Sequence, residues 1–530
     1  MHLKHILRSL YFLLTPLLAS AEDAAWPMGS GPNGNYCIQG AAPAAFSVSL
    51  NQHVRWRAPL PNTGQSAAAI AGKRLFVTSH EPIAADTEMG STIYGMCFDA
   101  ETGKELWRRT LPGARVTDLS SLFSDNTAAA PVVTDTRVCF VNVGGCISCF
   151  DHDGTEQWTY TWVPFGRHHA RAQQPILQEK HIIVMQIPRQ DLDPSVTTKG
   201  GAHPLGRDED LWTRLMRFDL QTGKRDWVAA CGTSVHSNSM IGKTADGTIA
   251  LLTGRGGGHK PPEEPYGLSL VQASDGVSRW DRAIKGYAAA QNACWTPTQG
   301  AFFAGAEHGT IDIATGQEGP RMSLVQDVDL CAWENGVYVH KTRQTLAKIK
   351  KPLTYYTNII VGDYHYFRAH SACYIGRVQL QTGKVEYLQV PIQVLRKPGE
   401  AESREWTQAI PNDMKNADGF VATQDKRNAG SGWGHVSSAS PIVVGERIYF
   451  PTMIGMVYVL NWNAPRLDET ALVSISDLGP AGETWCLANL SYAEGNLYAR
   501  TLKELICIGP APAGPGESTT PKKALESPTK

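Results

Sequence analysis

The residues best suited to chemistry are short clusters of histidine, tryptophan, arginine and amide side chains in polar stretches. They are Arg167-His168-His169-Ala170-Arg171, Val235-His236-Ser237-Asn238, Asn292-Ala-Cys-Trp295, Trp433-Gly434-His435 and Glu483-Thr484-Trp485. A second set comprises His80-Glu81, Arg255-Gly-Gly-Gly-His259 and Glu307-His308. Imidazoles suit Zn or Cu, and aromatic walls with cationic and amide groups suit a planar or anionic organic ligand. Ordinary loop polarity accounts for the same residues. The candidates for a ligand site are Arg167, His168, His169, His236, Asn238, Asn292, Trp295, His435 and Trp485. No metal ligand is assigned, because the adjacent His168 and His169 project oppositely on a strand. No catalytic residue is assigned either: Asp125, Asn126 and the scattered Ser and His residues form no recognisable nucleophile arrangement.

Other motifs carry less than they suggest. Gly254-Arg-Gly-Gly-Gly258 lacks the Lys-Ser/Thr and helix of a phosphate loop and reads as a flexible turn. Cys146-x-x-Cys149 is followed by Phe150, not His, so it is no c-type haem attachment. Its two thiols, three apart on one strand, face opposite ways. The chain has 11 cysteines, and most lie within apolar strand-like runs, as buried unpaired thiols do. Net charge is −1, which excludes the polycation expected of a nucleic-acid binder.

What positions these clusters is a repeat. Asp99-Ala-Glu-Thr102-Gly103-Lys104-Glu-Leu-Trp107 recurs as Asp219-Leu-Gln-Thr222-Gly223-Lys224-Arg-Asp-Trp227. Looser copies run from Asp151 to Trp158, Gln272 to Trp280 and Gln379 to Tyr387, and Asp312 starts one with Pro320 in place of the Trp. Their starts lie 40 to 68 residues apart, the period of propeller blades with inserted loops. Before each copy stand two apolar runs joined by a short turn, as in Ala67–Val77 and Pro441–Phe450, the inner hairpin of a four-stranded blade. The expected fold is all-β: a single propeller, with eight blades of four antiparallel strands. Residues 327–350 are a ninth blade or an irregular part of a neighbour. The last unit, Trp485 to Ile508, lacks an outer strand, and His53–Arg57 looks like an outer strand without a blade. Pairing the two closes the ring. Each closing Trp is expected to wedge between blades.

The ends read differently. His2, Lys4, His5 and Arg8, the apolar run Leu10–Leu18 and the small residues Ala19-Ser20-Ala21 make a secretory signal over 1–21. The apolar run is too short to span a bilayer. Residues 22–52 form a lead segment, 53–509 the propeller with a long insertion at about 391–434, and 510–530 a disordered tail.

These repeats resemble those of the pyrroloquinoline-quinone-like propeller superfamily, which includes quinoprotein alcohol dehydrogenases and the scaffold lipoprotein of the outer-membrane barrel-insertion machinery. Trp26-Pro27-Met-Gly-Ser-Gly31-Pro32-Asn33-Gly34 resembles the opening of exported members. The resemblance spans roughly 26–509 and implies architecture, not activity. Quinoprotein dehydrogenases carry two adjacent cysteines over the quinone and bind calcium through Glu, Asn and Asp. This chain has no Cys-Cys pair, and no segment aligns to those calcium ligands. PQQ and calcium are therefore disfavoured, and the cofactor is left unassigned. The expected protein is a periplasmic or secreted monomer without a transmembrane segment, a binding or scaffold module. Its partner is a cell-envelope protein or a small organic ligand, and nucleic acid is excluded. The alternative is a PQQ-dependent dehydrogenase with a non-standard site.

Overall fold

The computed structural model describes residues 26–60, 65–80, 93–112, 129–142, 145–162, 174–186, 214–229, 231, 237–256, 266–288, 290–346, 357–369, 373–412 and 439–510. Among them no helix occurs, and, apart from a separate two-stranded pair of Gln393–Leu395 with Ser403–Glu405, the strands fall into eight blades around an axis. Blade 1 is typical: Ala69–Ala71, Arg74–His80, Ile93–Asp99 and Glu105–Leu111 pair antiparallel in chain order, from the axis outward. Blades 2 to 7 lie at 132–161, 176–228, 240–283, 295–323, 358–389 and 442–477. Blade 8 takes its three inner strands from 491–508 and its outer strand from Val54–Pro59. Trp56 stands opposite Cys507 in that pairing, which joins the two ends of the chain.

The repeat motif builds a local device. Asp99 Oδ1 accepts from the Thr102 N–H and hydroxyl, both at 2.8 Å, and Asp219 does the same for Thr222. That Asx turn needs a left-handed residue next, and Gly103 (φ 73°) supplies it. A register shift then interrupts the outer pairing just before the Trp, between Cys97/Phe98, Arg217/Phe218 and Leu270/Val271. Such a bulge bends the outer strand and re-aims a side chain. Here it sends the Trp to the neighbouring blade. A Cβ on Gly103 would sit 2.5 Å from the Trp56 ring, so the glycine serves close approach as well as backbone conformation. Trp107, Trp158, Trp227 and Trp280 seat in the same way on Gly154, Gly223, Gly276 and Gly316 of the following blade. Each indole N–H donates to a backbone carbonyl there, as Trp280 does to Ile313 at 2.8 Å.

Two interfaces depart from this pattern. Blade 5 has Pro320 at the expected Trp position, and Met322 instead packs on Gly383 of blade 6. Between blades 6 and 7 the buried Arg377, paired with Glu386 at 2.7 Å, donates to the Ala464 and Pro465 carbonyls. The described part of residues 327–350 is no ninth blade but an irregular part of blade 6. Val328–Glu334 and Val337–Gln344 form a hairpin on the outer edge of blade 6, where Asp329–Cys331 pairs parallel with Glu386–Leu388. The 11 cysteines are all unpaired and nine are buried, in keeping with structural thiols.

Replacing Trp227 (9% exposed) with Ala removes a ring wedged between blades 3 and 4. The expected loss is about 3–5 kcal/mol, typical for a buried Trp. Urea denaturation reads it directly, and an unchanged midpoint would show that the ring is no wedge.

Candidate functional site at the channel

The axis is filled by the chain's own N-terminal segment. Trp26, fully buried, bridges Ile70 of blade 1 through two backbone hydrogen bonds of 2.8 and 3.0 Å. The chain continues inward, the Pro27 carbonyl accepting from Val133 of blade 2 and the Gly29 carbonyl from Asn489 near blade 8. It turns at Gly31 and Gly34, both left-handed. A Cβ at Gly31 would lie 2.9 Å from the Trp26 ring, which accounts for a glycine at that point of the opening motif. The return strand Cys37–Ile38 then pairs parallel with Val443–Val444, the innermost strand of blade 7. Residues 46–49 leave the channel and run beside the outer strand of blade 7, where Ser47 and Ser49 hydroxyls donate to Asp477 at 2.5 and 2.7 Å.

Above the plug, the residues that lead into the innermost strands form a buried polar belt. Asn238 Nδ2 donates to Tyr36 Oη at 2.6 Å and to Asn292 Oδ1 at 3.3 Å. Asn292 Nδ2 donates to the Asn358 carbonyl and to Ser440 Oγ, both at 3.0 Å. Asn238 Oδ1 accepts from the Gln174 N–H at 3.2 Å. Polar groups from blades 3 to 7 are thereby tied into one network. Burying so many polar groups is tolerable because each has a partner. Burial pushes the Tyr36 phenol up to about 12, so it stays protonated.

The belt brings Asn238 and Asn292 together. Trp295, three residues further along the chain, points elsewhere: with Asn33, Asn35, Lys243 and Cys294 it lines a cleft of about 250 Å³ beside the plug. Its indole N–H donates to the Met240 carbonyl at 3.0 Å. Trp485 is buried in the core shared by blades 6, 7 and 8. Arg167, His168, His169, His236 and His435 lie outside the described residues, as do Glu81 and His259. Of the second set, His308 is fully buried and bonds His365 Nδ1 at 2.9 Å. Sequence reasoning missed the plug residues Tyr36 and Met28. The one signal was the Trp-Pro-x-x-x-Gly-Pro-Asn-Gly opening, whose glycines serve the turn inside the channel.

The geometry bears on a quinone. A planar cofactor on the axis would need the volume that Trp26, Met28 and Tyr36 fill, and the described inner strands hold no carboxylate facing it. The described residues do not fit such a group.

The repeat has a counterpart among known families. Residues 47–202, less than a third of the chain, match the family model described as outer membrane protein assembly factor BamB. The chain is an eight-bladed β-propeller whose repeat over those residues is similar to that family's. No curated protein matches the sequence of this propeller. Among solved structures it is similar to quinohemoprotein alcohol dehydrogenase ADHIIG from Pseudomonas putida HK5, with 10% identity and TM-score 0.48 over 95% of this chain and 83% of the other. A europium-containing methanol dehydrogenase gives 10% and 0.47 over 91% of each chain. BamB from Moraxella catarrhalis gives 13% and 0.34 over 72% of this chain and 93% of the other. Such likenesses transfer no chemistry to the propeller. Among its described residues, no helix is long and apolar enough to cross a membrane.

Proposed function

We propose that this propeller is an exported binding or scaffold module of the periplasm or cell envelope, with its contact surface at the end of the ring bearing the ligand-site candidates. The observation that carries this reading is the plugged axis. Residues 26–38 occupy the space where a propeller enzyme would admit a substrate, and they are hydrogen-bonded into blades 1, 2, 4 and 7. A ring whose axis is occupied by its own chain offers its faces and rim, surfaces suited to another macromolecule. The match to a family described as an assembly factor supports a protein partner in the envelope.

The test uses the secreted chain from residue 22 onward. Addition of PQQ and Ca²⁺ is expected to leave its absorbance spectrum and melting temperature unchanged, because a ligand with no site in the native state stabilises nothing. Cross-linking in a cell-envelope fraction is expected to capture a protein partner, and substitutions at Arg167 and His435 to weaken the capture. Stoichiometric quinone binding with dye-linked alcohol oxidation would overturn the proposal.

A further inference from the structure

The hairpin on the outer edge of blade 6 has no place in a four-stranded blade, and its register makes a cluster that the sequence conceals. Cys331 on its first strand stands directly opposite His340 on its second. Residues opposed across an antiparallel pair share a face. The turn between the third and outer strands of blade 7 brings Glu469 to that face. Cys331 Sγ lies 3.3 Å from Glu469 Oε2, and His340 Nε2 lies 3.1 Å from the same oxygen. The three donor atoms are all within 4.8 Å of one another.

We propose that Cys331, His340 and Glu469 bind a zinc-class divalent cation, with a fourth coordination position open to solvent. The chemistry of the donor set is the first ground. One thiolate, one imidazole and one carboxylate suit a borderline ion such as Zn²⁺ and ill suit the all-oxygen preference of Ca²⁺ or Mg²⁺. Spacing is the second. Tetrahedral Zn with bonds of about 2.3 Å to sulfur and about 2.0 Å to nitrogen and oxygen puts its ligands about 3.3–3.5 Å apart. The sulfur–oxygen and nitrogen–oxygen separations of 3.3 and 3.1 Å approach those edges before any ion is bound.

Exposure is the third ground, and it sets the kind of site. Cys331 is buried, whereas the His340 and Glu469 side chains are 45% and 38% exposed. The thiolate therefore anchors the ion on the protein side and the remaining position faces water, the pattern of three protein ligands with one exchangeable position. Tyr338, two residues before His340 on the same face, has a buried hydroxyl without a hydrogen-bond partner. Its ring is held edge-on to Trp333 at 4.9 Å, and Trp333 stacks on Trp406 at 4.6 Å. Without the ion, the thiol and the imidazole bond to the carboxylate. Coordination replaces the thiol proton, which passes to solvent.

The experiment titrates Co²⁺ into the metal-stripped chain. One equivalent is expected to give a thiolate-to-cobalt charge-transfer band and intense d–d bands of tetrahedral type, which Zn²⁺ abolishes by displacement. His340→Ala alters an exposed side chain, so it leaves the fold intact while weakening Co²⁺ by at least about tenfold. Cys331→Ser, with its fold checked by circular dichroism, loses the charge-transfer band. No band in the parent chain overturns the proposal. A band of equal affinity in both variants overturns it too, since the ion would then sit on other thiols such as Cys37 or Cys373. The result is independent of whether the ring serves as a scaffold.

Discussion

A chain beginning at residue 61 is expected to yield no folded monomer. The truncation removes the outer strand of blade 8, whose backbone pairs with Glu504–Ile508. It also removes the axial plug, including Trp26, Met28 and Tyr36, all at least 98% buried. Each such side chain is worth about 1.5–3 kcal/mol of burial. Three of them, with Phe46, approach the whole stability of an ordinary domain, about 5–15 kcal/mol. The backbone donors of Glu504–Ile508 would in addition be left as an open sheet edge, a template for aggregation. A second truncation separates the two effects. Removing 22–45 deletes the plug and keeps Val54–Pro59, so it should give a destabilised but monomeric ring. Removing 511–530 should be silent. Size-exclusion chromatography with thermal unfolding reads all three, and a stable monomer beginning at residue 61 would defeat the closure argument.

The blades are legible in the sequence because their determinants are local. The Asp, the Thr, the Gly and the Trp of each repeat lie within nine residues, and the Asx turn, the left-handed glycine and the bulge follow from that spacing. Ring closure is legible for a related reason: Trp56 repeats the outer-strand signature with no blade before it. The plug is not. Tyr36 meets Asn238 some two hundred residues away and Gly29 meets Asn489 more than four hundred away. Nothing in residues 26–40 alternates as a strand should. The hairpin at 328–344 is equally hidden, since it joins blade 6 by a parallel pairing that no turn residue announces. Its Cys331, His340 and Glu469 become neighbours only after register and blade order are known. Among the ligand candidates, Asn238 and Asn292 recur at equivalent points before successive inner strands. That equivalence brings them into one belt, while Trp295, three residues after Asn292, looks into a separate cleft.

Acid should destabilise the ring well above the pH at which carboxylates begin to protonate. His308 and His365 are fully buried between blades 5 and 6. Asn358 Nδ2 donates to His365 Nε2 at 3.0 Å, so that nitrogen is an acceptor and the proton sits on Nδ1. His365 Nδ1–H then donates to His308 Nε2 at 2.9 Å, leaving the proton of His308 on Nδ1, which has no partner. A second proton on either ring would set two donors face to face. Burial pushes His308 down to about 3 and His365 well below its ordinary value, the latter also through the His308 charge. Both folded-state values lie below the unfolded value of about 6.5, so the unfolded chain takes up protons first. The stabilisation is complete above pH ~6.5 and shrinks as pH falls towards 3, at about 1.4 kcal/mol per unit for His308. At pH ~4.5 that is a loss of about 3 kcal/mol from His308, with His365 adding in the same direction. Asp99, Asp219 and Asp312 are held below the usual carboxylate range, Asp312 by its Thr315 bonds, and they add to the loss only at lower pH. His308→Phe, beside Phe303 at 5.5 Å in the native ring contact, keeps an aromatic ring and removes one titration. Its stability at pH 7.5 falls for want of the hydrogen bond. Between pH 6.5 and 4.5 its denaturation midpoint should decline less steeply than the parent's, and an identical slope would show that the buried pair does not drive the acid response.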